Sequence, residues 1–262
     1  MPQLGFGVWQ VGNEAIVPAV RAALKDGYRL IDTAAIYGNE EGVGEALQVA
    51  IVPREEVYVT TKLWNPDHAR AAEAMEESLG RLRLDYVDLY LIHWPTPKQN
   101  RYVEAWMGLV ELQKAGKARS IGVSNFTKEH LQEVIDATGV VPSVNQIELH
   151  PLLPQKELRD FHTEHGIVTE SWSPLGRGKL MEDPVLVEIG RKHGKTAAQV
   201  VLRWHLDLGL VVIPKSVTPS RIEENFDVFD FRLDSGDMDR IASLETGERM
   251  GGDPNTANYG VD

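Results

Sequence analysis

The 262-residue sequence predicts a single-domain α/β protein, a closed (β/α)8 barrel, on three observations. Polar residues of reactive type, Asp32, Lys62, His93 and Ser124, recur at intervals of about thirty residues, the length of one strand plus its return helix. Each stands at the end of a short apolar run, at 28–31, 57–59, 87–92 and 121–123. Segments of helical periodicity separate those runs, and the total length suits one barrel of about 250 residues better than two small domains.

The elements follow in order. A strand at 28–31 leads to a helix at 41–49. The strand at 57–60 precedes a helix at 71–82, in which Ala71, Met75, Ser78, Leu79 and Leu82 share one face at helical spacing. Strand 87–92 is followed by helix 103–115, ending at Gly116, and strand 120–123 by helix 128–138, ending at Gly139. A glycine just past the last turn takes the left-handed conformation that stops a helix. Strands at 144–147, 168–171 and 210–213 come next, and one at 228–231 makes eight. Helices at 154–165, 184–193 and 197–208 fill the gaps, the last capped by Thr196. Trp106 and Trp204 fall inside helical patterns and are assigned to the core. The rhythm breaks down after the strand at 168–171, and the tail, 247–262, rich in Gly, Asn and Asp, reads as a loop over the barrel mouth.

Composition removes several classes of function. A net charge of −12 and a pI of about 5.2 argue against sequence-independent nucleic-acid binding, so an anionic ligand requires a local basic pocket. With no cysteine, neither a disulfide framework nor a thiolate metal site can form. No eighteen-residue apolar stretch and no basic segment ahead of an apolar core occurs, so membrane spans and export signals are not expected and the cytoplasm is the default compartment. His162 and His165 have the spacing of metal ligands, but a surface helix rich in acidic residues explains them, and no metal is expected.

Parallel strands in a closed barrel end at one mouth, where active sites of this fold are built. Asp32, Tyr37, Lys62 and His93 are therefore expected to converge. Singly, each has a bland reading: a helix cap, a rim aromatic, a surface lysine, a strand-end histidine. Together they form a proton-delivery set. A tyrosine with a free pKa near 10 donates poorly at neutral pH, and a neighbouring ammonium lowers that value; Lys62 supplies the ammonium, Asp32 keeps it charged in a dry pocket, and His93 orients a substrate oxygen. Such a set suits protonation of a carbonyl oxygen while the carbon is attacked. Two rivals remain open: a barrel lyase in which Lys62 forms a Schiff base, and a non-catalytic nucleotide-binding regulatory module. Trp9, Ile36, Trp64 and Trp94, with His93, are expected to shape an apolar substrate slot.

The segments 30–39 (LIDTAAIYGN), 61–65 (TKLWN), 91–95 (LIHWP), 122–125 (GVSN), 145–148 (NQIE) and 213–216 (IPKS) resemble those of the aldo-keto reductases over nearly the whole chain. Segments 170–176 (ESWSPLG) and 225–230 (NFDVFD) bring the resemblance nearest to the bacterial 2,5-diketo-D-gluconate reductase group. The resemblance implies a (β/α)8, or TIM, barrel using NADPH, with Tyr37 as general acid, Lys62 and Asp32 tuning it, and His93 orienting the carbonyl of a ketone or aldehyde, such as a sugar-derived keto acid. It also implies that Ser124, Asn125 and Gln146 bond the nicotinamide carboxamide and that Trp172, where tyrosine is more usual, stacks on the ring.

By the same resemblance, Ser173, Leu175 and Gly176 line the pyrophosphate, Lys215, Ser216 and Arg221 meet the 2′-phosphate, and Glu224 and Asn225 lie near adenine. Arg offers bidentate donors and Lys a point charge, which is what a dianionic phosphate needs. Without the resemblance, Arg221 and Glu224 read equally well as an ion pair one helical turn apart. No Rossmann fingerprint or P-loop is present: Gly42 and Gly44, Gly5 and Gly7, and Gly176 and Gly178 each lack the remaining motif positions. The family's N-terminal hairpin, which covers the base of the barrel, has no counterpart in 1–5, so thinner cover is expected there. A monomer with a small-molecule carbonyl substrate, and no nucleic-acid or membrane partner, completes the expectation.

Overall fold

The computed structural model describes residues 1–261. Eight strands pair in parallel and in chain order: β1 (Phe6–Gly7), β2 (Leu30–Asp32), β3 (Tyr58–Leu63), β4 (Val87–Ile92), β5 (Ala118–Ser124), β6 (Val144–Glu148), β7 (Val168–Trp172) and β8 (Val211–Val212). Backbone bonds from Gly5 N to Val212 O (2.8 Å), Val212 N to Gln3 O (2.8 Å) and Gly7 N to Pro214 O (3.1 Å) close the sheet on itself. Helices α1 (Asn13–Asp26), α2 (Glu40–Gln48), α3 (Ala71–Leu82), α4 (Tyr102–Lys114), α5 (Lys128–Thr138) and α6 (Lys156–His165) each return the chain to the next strand. Two helices, α7 (Pro184–His193) and α8 (Ala197–Asp207), lie between β7 and β8, and α9 (Pro219–Phe226) and α10 (Ser235–Ala242) follow.

Thr196 caps α8 as the sequence predicts, its hydroxyl accepting from Gln199 N at 3.3 Å while the Gln199 side chain bonds back to Thr196 N. A cap of this kind contributes about 1 kcal/mol. Trp106 and Trp204 are buried, and the outward strand residues Ile31, Val59, Tyr90, Ile92, Ile121 and Val123 pack with the inner faces of the helices in one extensive core.

One expectation fails. The segment at 228–231 is not a strand: Val228 is buried, Phe229 is 55% exposed, and the carbonyls of Asp227 and Val228 accept from the Gln199 and Arg203 side chains instead of a ladder. The eighth strand is β1, at the other end of the chain. Its brevity and its glycines conceal it, yet the glycines are what the barrel interior demands. A Cβ on Gly5 would stand 2.1 Å from Leu30 Cδ2, and one on Gly7 2.9 Å from Ile213 O.

The interior explains where chemistry can sit. Leu30, Val211 and Ile213, and Leu89, Leu91 and Val144, fill the barrel in two small apolar clusters against Tyr58. Because side chains alternate across a strand, residues two positions on keep the inward direction. Leu30 is thus followed inward by Asp32, Leu91 by His93, Gly122 by Ser124, and Val144 by Gln146. Each row begins apolar and turns polar towards the carboxyl ends of the strands.

Candidate active site

Asp32 ends β2, and Lys62 faces it from β3. Lys62 is 0% exposed, and its ammonium donates to Asp32 Oδ1 at 2.7 Å and to Thr33 O at 2.9 Å. Burial works against the charged ammonium, but the Asp32 carboxylate outweighs it, so Lys62 sits above its ordinary pKa and stays charged. Tyr37, half-buried in a short 3-10 turn after β2, has its ring centre 5.2 Å from Lys62 Nζ and 5.7 Å from the His93 ring, edge to face.

The net direction for Tyr37 differs from the expected one. Burial raises the phenol above its ordinary value, and Lys62 only pulls it part of the way back, against Asp32. A phenol so held is protonated at neutral pH. His93 is pushed well below its usual value by burial and by the Lys62 charge, so its imidazole is neutral. Its Nδ1 is buried without a protein partner.

Around these four residues opens a cavity of about 510 Å³. Trp9, Ile36, Tyr37, Trp64, His93 and Trp94 line one part, and Ser124, Asn125, Gln146, Trp172, Ser173 and Lys215 another. Lys62 lies beneath it, behind Asp32. The polar rim is braced: Ser124 Oγ donates to Gln146 O (2.7 Å) and accepts from Asn125 Nδ2 (3.0 Å), while Asn125 Oδ1 accepts from Trp172 Nε1 (2.8 Å). Asn125 and Ser173 have φ of 62° and 49°, backbone strain of the sort that collects at functional sites.

The remaining predicted positions stand apart from the cavity. Leu175 packs into the core, and Gly176 lies against Leu180 and Met250. Ser216 Oγ accepts from Thr218 N at 3.1 Å. Arg221, Glu224 and Asn225 are on α9, beyond β8, with Arg221 exposed and Asn225 buried. Glu224 accepts from Thr196 Oγ1 at 2.7 Å, and among the described residues neither Lys215 nor Arg221 is in an ion pair. His162 is not a surface residue: it is buried, 3.0 Å from Asn145 Nδ2 and 2.8 Å from Thr169 Oγ1.

Several residues that sequence reasoning passed over belong here. Arg177, at φ 51°, lines the cavity with its guanidinium 5.7 Å from the Trp9 ring centre. Gly251, Gly252 and Tyr259 bring the tail over the mouth. Glu148, fully buried on β6, fixes that tail by accepting from Met250 N (2.6 Å) and Gly251 N (2.9 Å). Further along, Asn65 Nδ2 donates to Tyr259 O at 2.9 Å, and Tyr259 meets Trp94 edge to face at 5.2 Å. A lone aromatic in a Gly- and Asn-rich tail was the available signal for Tyr259; Glu148 and Glu170 fall inside the family-like segments 145–148 and 170–176, but nothing in their spacing assigns them a role.

A closed parallel barrel whose strand ends gather a phenol, a neutral imidazole and a buried ammonium-carboxylate pair at one aromatic slot defines a barrel oxidoreductase. The chain belongs to the aldo/keto reductase family, whose model matches residues 3–246. It is 59% identical over 256 residues to the methylglyoxal reductase DkgA of Escherichia coli K12, covering 97% of this chain and 93% of that protein. An aldo-keto reductase of Mycolicibacterium smegmatis is 56% identical over 261 residues, covering 99% and 95%. Among solved structures, a mutant of Gox0644 in complex with NADPH superposes with a TM-score of 0.95 at 53% identity, over 99% of this chain and 95% of that one.

Proposed function

We propose that the protein is an NADPH-dependent carbonyl reductase acting on small polar aldehydes and ketones, with methylglyoxal and sugar-derived keto acids such as 2,5-diketo-D-gluconate as its substrate classes. The observation that carries this reading is the Asp32–Lys62 pair set directly beneath Tyr37 and His93 at the floor of the cavity. Tyr37, protonated at neutral pH, gives its proton to the carbonyl oxygen; the Lys62 ammonium stabilises the phenolate left behind, and Asp32 keeps Lys62 charged. Neutral His93 offers a hydrogen bond that orients the oxygen. NADPH, when bound, supplies the hydride to the carbonyl carbon.

The residues present suit that cofactor. Trp172 presents an indole face in the cavity, held by Asn125, for stacking, and Ser124, Asn125 and Gln146 form the braced rim to which a carboxamide would bond. Ser173, Leu175 and Gly176 form the loop assigned to the pyrophosphate. Lys215 and Arg221, cations without ion-pair partners among the described residues of a chain of net charge −12, would hold the 2′-phosphate with Ser216, leaving Glu224 and Asn225 for adenine. Arg177, 5.7 Å from the Trp9 ring centre, gives the aromatic part of the cavity a positive charge that a keto acid would meet. All of these residues come from one chain, so a single copy suffices, and the cysteine-free sequence fits a reducing cytoplasm.

The position of Lys62 argues against a Schiff-base lyase, whose lysine must be neutral and reach the substrate. Here it is charged, doubly bonded and screened by Asp32. A multiple-turnover assay of aldehydes and keto acids with NADPH and NADH tests the reading: turnover with NADPH is expected, and binding without turnover across the panel would overturn it. Covalent trapping of substrate on Lys62 by borohydride would restore the lyase.

A further inference from the structure

Gln146 is a bridge as well as a rim residue. Its Nε2 donates to Asp32 Oδ2 at 2.7 Å and to Glu170 Oε2 at 2.9 Å, so both of its amide hydrogens are spent between two carboxyl groups. The two acids are not equivalent. Asp32 also receives the Lys62 ammonium, whereas Glu170, 0% exposed on β7, has the one neutral donor and no cation, and its Oε1 has no protein partner. A carboxylate with an orphaned oxygen in a dry interior costs several kcal/mol; a proton on that oxygen removes the charge.

We propose that Glu170 is a positioning residue of this site, acting as a neutral carboxylic acid that holds the Gln146 amide and leaves Asp32 the one anion serving Lys62. The inference rests on the reductase reading. The other titratable groups facing Glu170 are Asp32 from β2, Lys62 and Tyr58 from β3, and Tyr37; Val211, its register partner on β8, brings no charge. Burial first, and then the Asp32 charge, push the Glu170 carboxyl up to about 8 against the opposing pull of Gln146 and Lys62. Once ionised, Glu170 competes with Asp32 for Lys62, and its charge raises the Tyr37 phenol further, making it a weaker acid.

Glu170→Gln tests this, since an amide keeps the acceptor for Gln146 and places an N–H where the acid carries its proton. At pH values well below 8, its kcat/KM for methylglyoxal reduction with NADPH is expected within about three-fold of wild type. Wild-type activity is expected to decline as the pH passes about 8, and the decline in the variant to move up by roughly one pH unit or more. Superimposable profiles, or a loss of about 100-fold or more at neutral pH in a folded variant, would overturn the proposal.

Thermal unfolding supplies a readout independent of turnover. A carboxyl whose folded-state pKa is raised from 4.5 to about 8 contributes stability fully below 4.5 and loses it as the pH climbs through that window. The Tm of Glu170→Gln relative to wild type should therefore rise from pH 4.5 to 8 and then level; a constant gap would overturn the assignment. Absence of any wild-type reduction would sink the reductase reading but leave this measurement intact. If the variant does not fold, the infrared C=O stretch of a protonated carboxyl in the wild type, present at neutral pH and lost above 8, decides the matter, and its absence at neutral pH overturns the assignment.

Discussion

The two ends of the barrel each bury charge, and they do so in opposite proportions. At the mouth, two carboxyl groups stand near one cation: Lys62 bonds Asp32, while Glu170 shares only the Gln146 amide with it, and all three side chains are buried. At the base, two cations serve one carboxylate: Asp88, the second residue of β4, accepts from Arg54 at 2.8 Å, Arg119 at 3.1 Å and Val59 N at 3.0 Å. Both guanidinium groups lie over the Tyr86 ring, at 4.6 and 4.2 Å, and Arg119 is 54% exposed. The base is neutralised, stacked and partly solvated, an arrangement that fastens strands. Charge at the mouth is buried with few partners, and burial first, then the Asp32 and Lys62 charges, perturbs Tyr37, Lys62, His93 and Glu170 together.

Substitutions at the two ends should therefore separate activity from stability. The largest effect is expected from Tyr37→Phe, which removes the proton donor: kcat should fall about 10² to 10⁴, or roughly 3 to 5 kcal/mol, with the Tm little changed. Near-normal turnover would remove Tyr37 from its role. Next, Lys215→Ala with Arg221→Ala should raise the KM for NADPH about 10- to 100-fold, roughly 1.4 to 2.8 kcal/mol in total for two solvent-screened contacts, while leaving NADH nearly unaffected. Equal losses for both nucleotides would place the phosphate elsewhere.

Asp88→Asn reverses the pattern. It should lower stability by about 1 to 3 kcal/mol in urea melts and leave kcat within about two-fold, because its partners face away from the chemistry. A large fall in kcat would mean that the two ends are coupled. The smallest effect concerns pH. His93 is held neutral well below 6.5, so kcat should be flat from pH 7 down to 5.5, while stability declines below 6.5 as the unfolded chain takes up a proton that the folded imidazole refuses. An acid limb in kcat that His93→Gln abolishes would contradict this.

The same contrast governs what could be read from the sequence. Asp32, Lys62 and His93 announce themselves because each follows an apolar strand run and the runs are evenly spaced. Helices α3, α5 and α7 are found to the residue, since each has a clear apolar face and a glycine or left-handed stop. Helices α1, α9 and α10 are missed although their apolar faces are as well marked, because α1 carries Pro18 inside it and α9 and α10 are only eight residues long. Glu148 and Glu170 escape for another reason: a glutamate in a short strand, beside Ile147 in one case and between Thr169 and Ser171 in the other, ordinarily marks a solvated face, and only closure of the sheet turns that face inward. The tail contacts join residues more than a hundred positions apart, which no local pattern encodes.

Those tail contacts fall at two places, Met250 and Gly251 on Glu148, and Tyr259 on Asn65 and Trp94. The stretch between them is a cassette fastened at both ends. Exchanges within 253–257 would redraw the entrance, whereas Gly252, where a Cβ would stand 2.3 Å from Tyr259 Oη, and Asn258, which accepts from Lys98 N at 3.0 Å, belong with the fasteners. Diversification of substrate range in such a scaffold requires no renegotiation of the barrel.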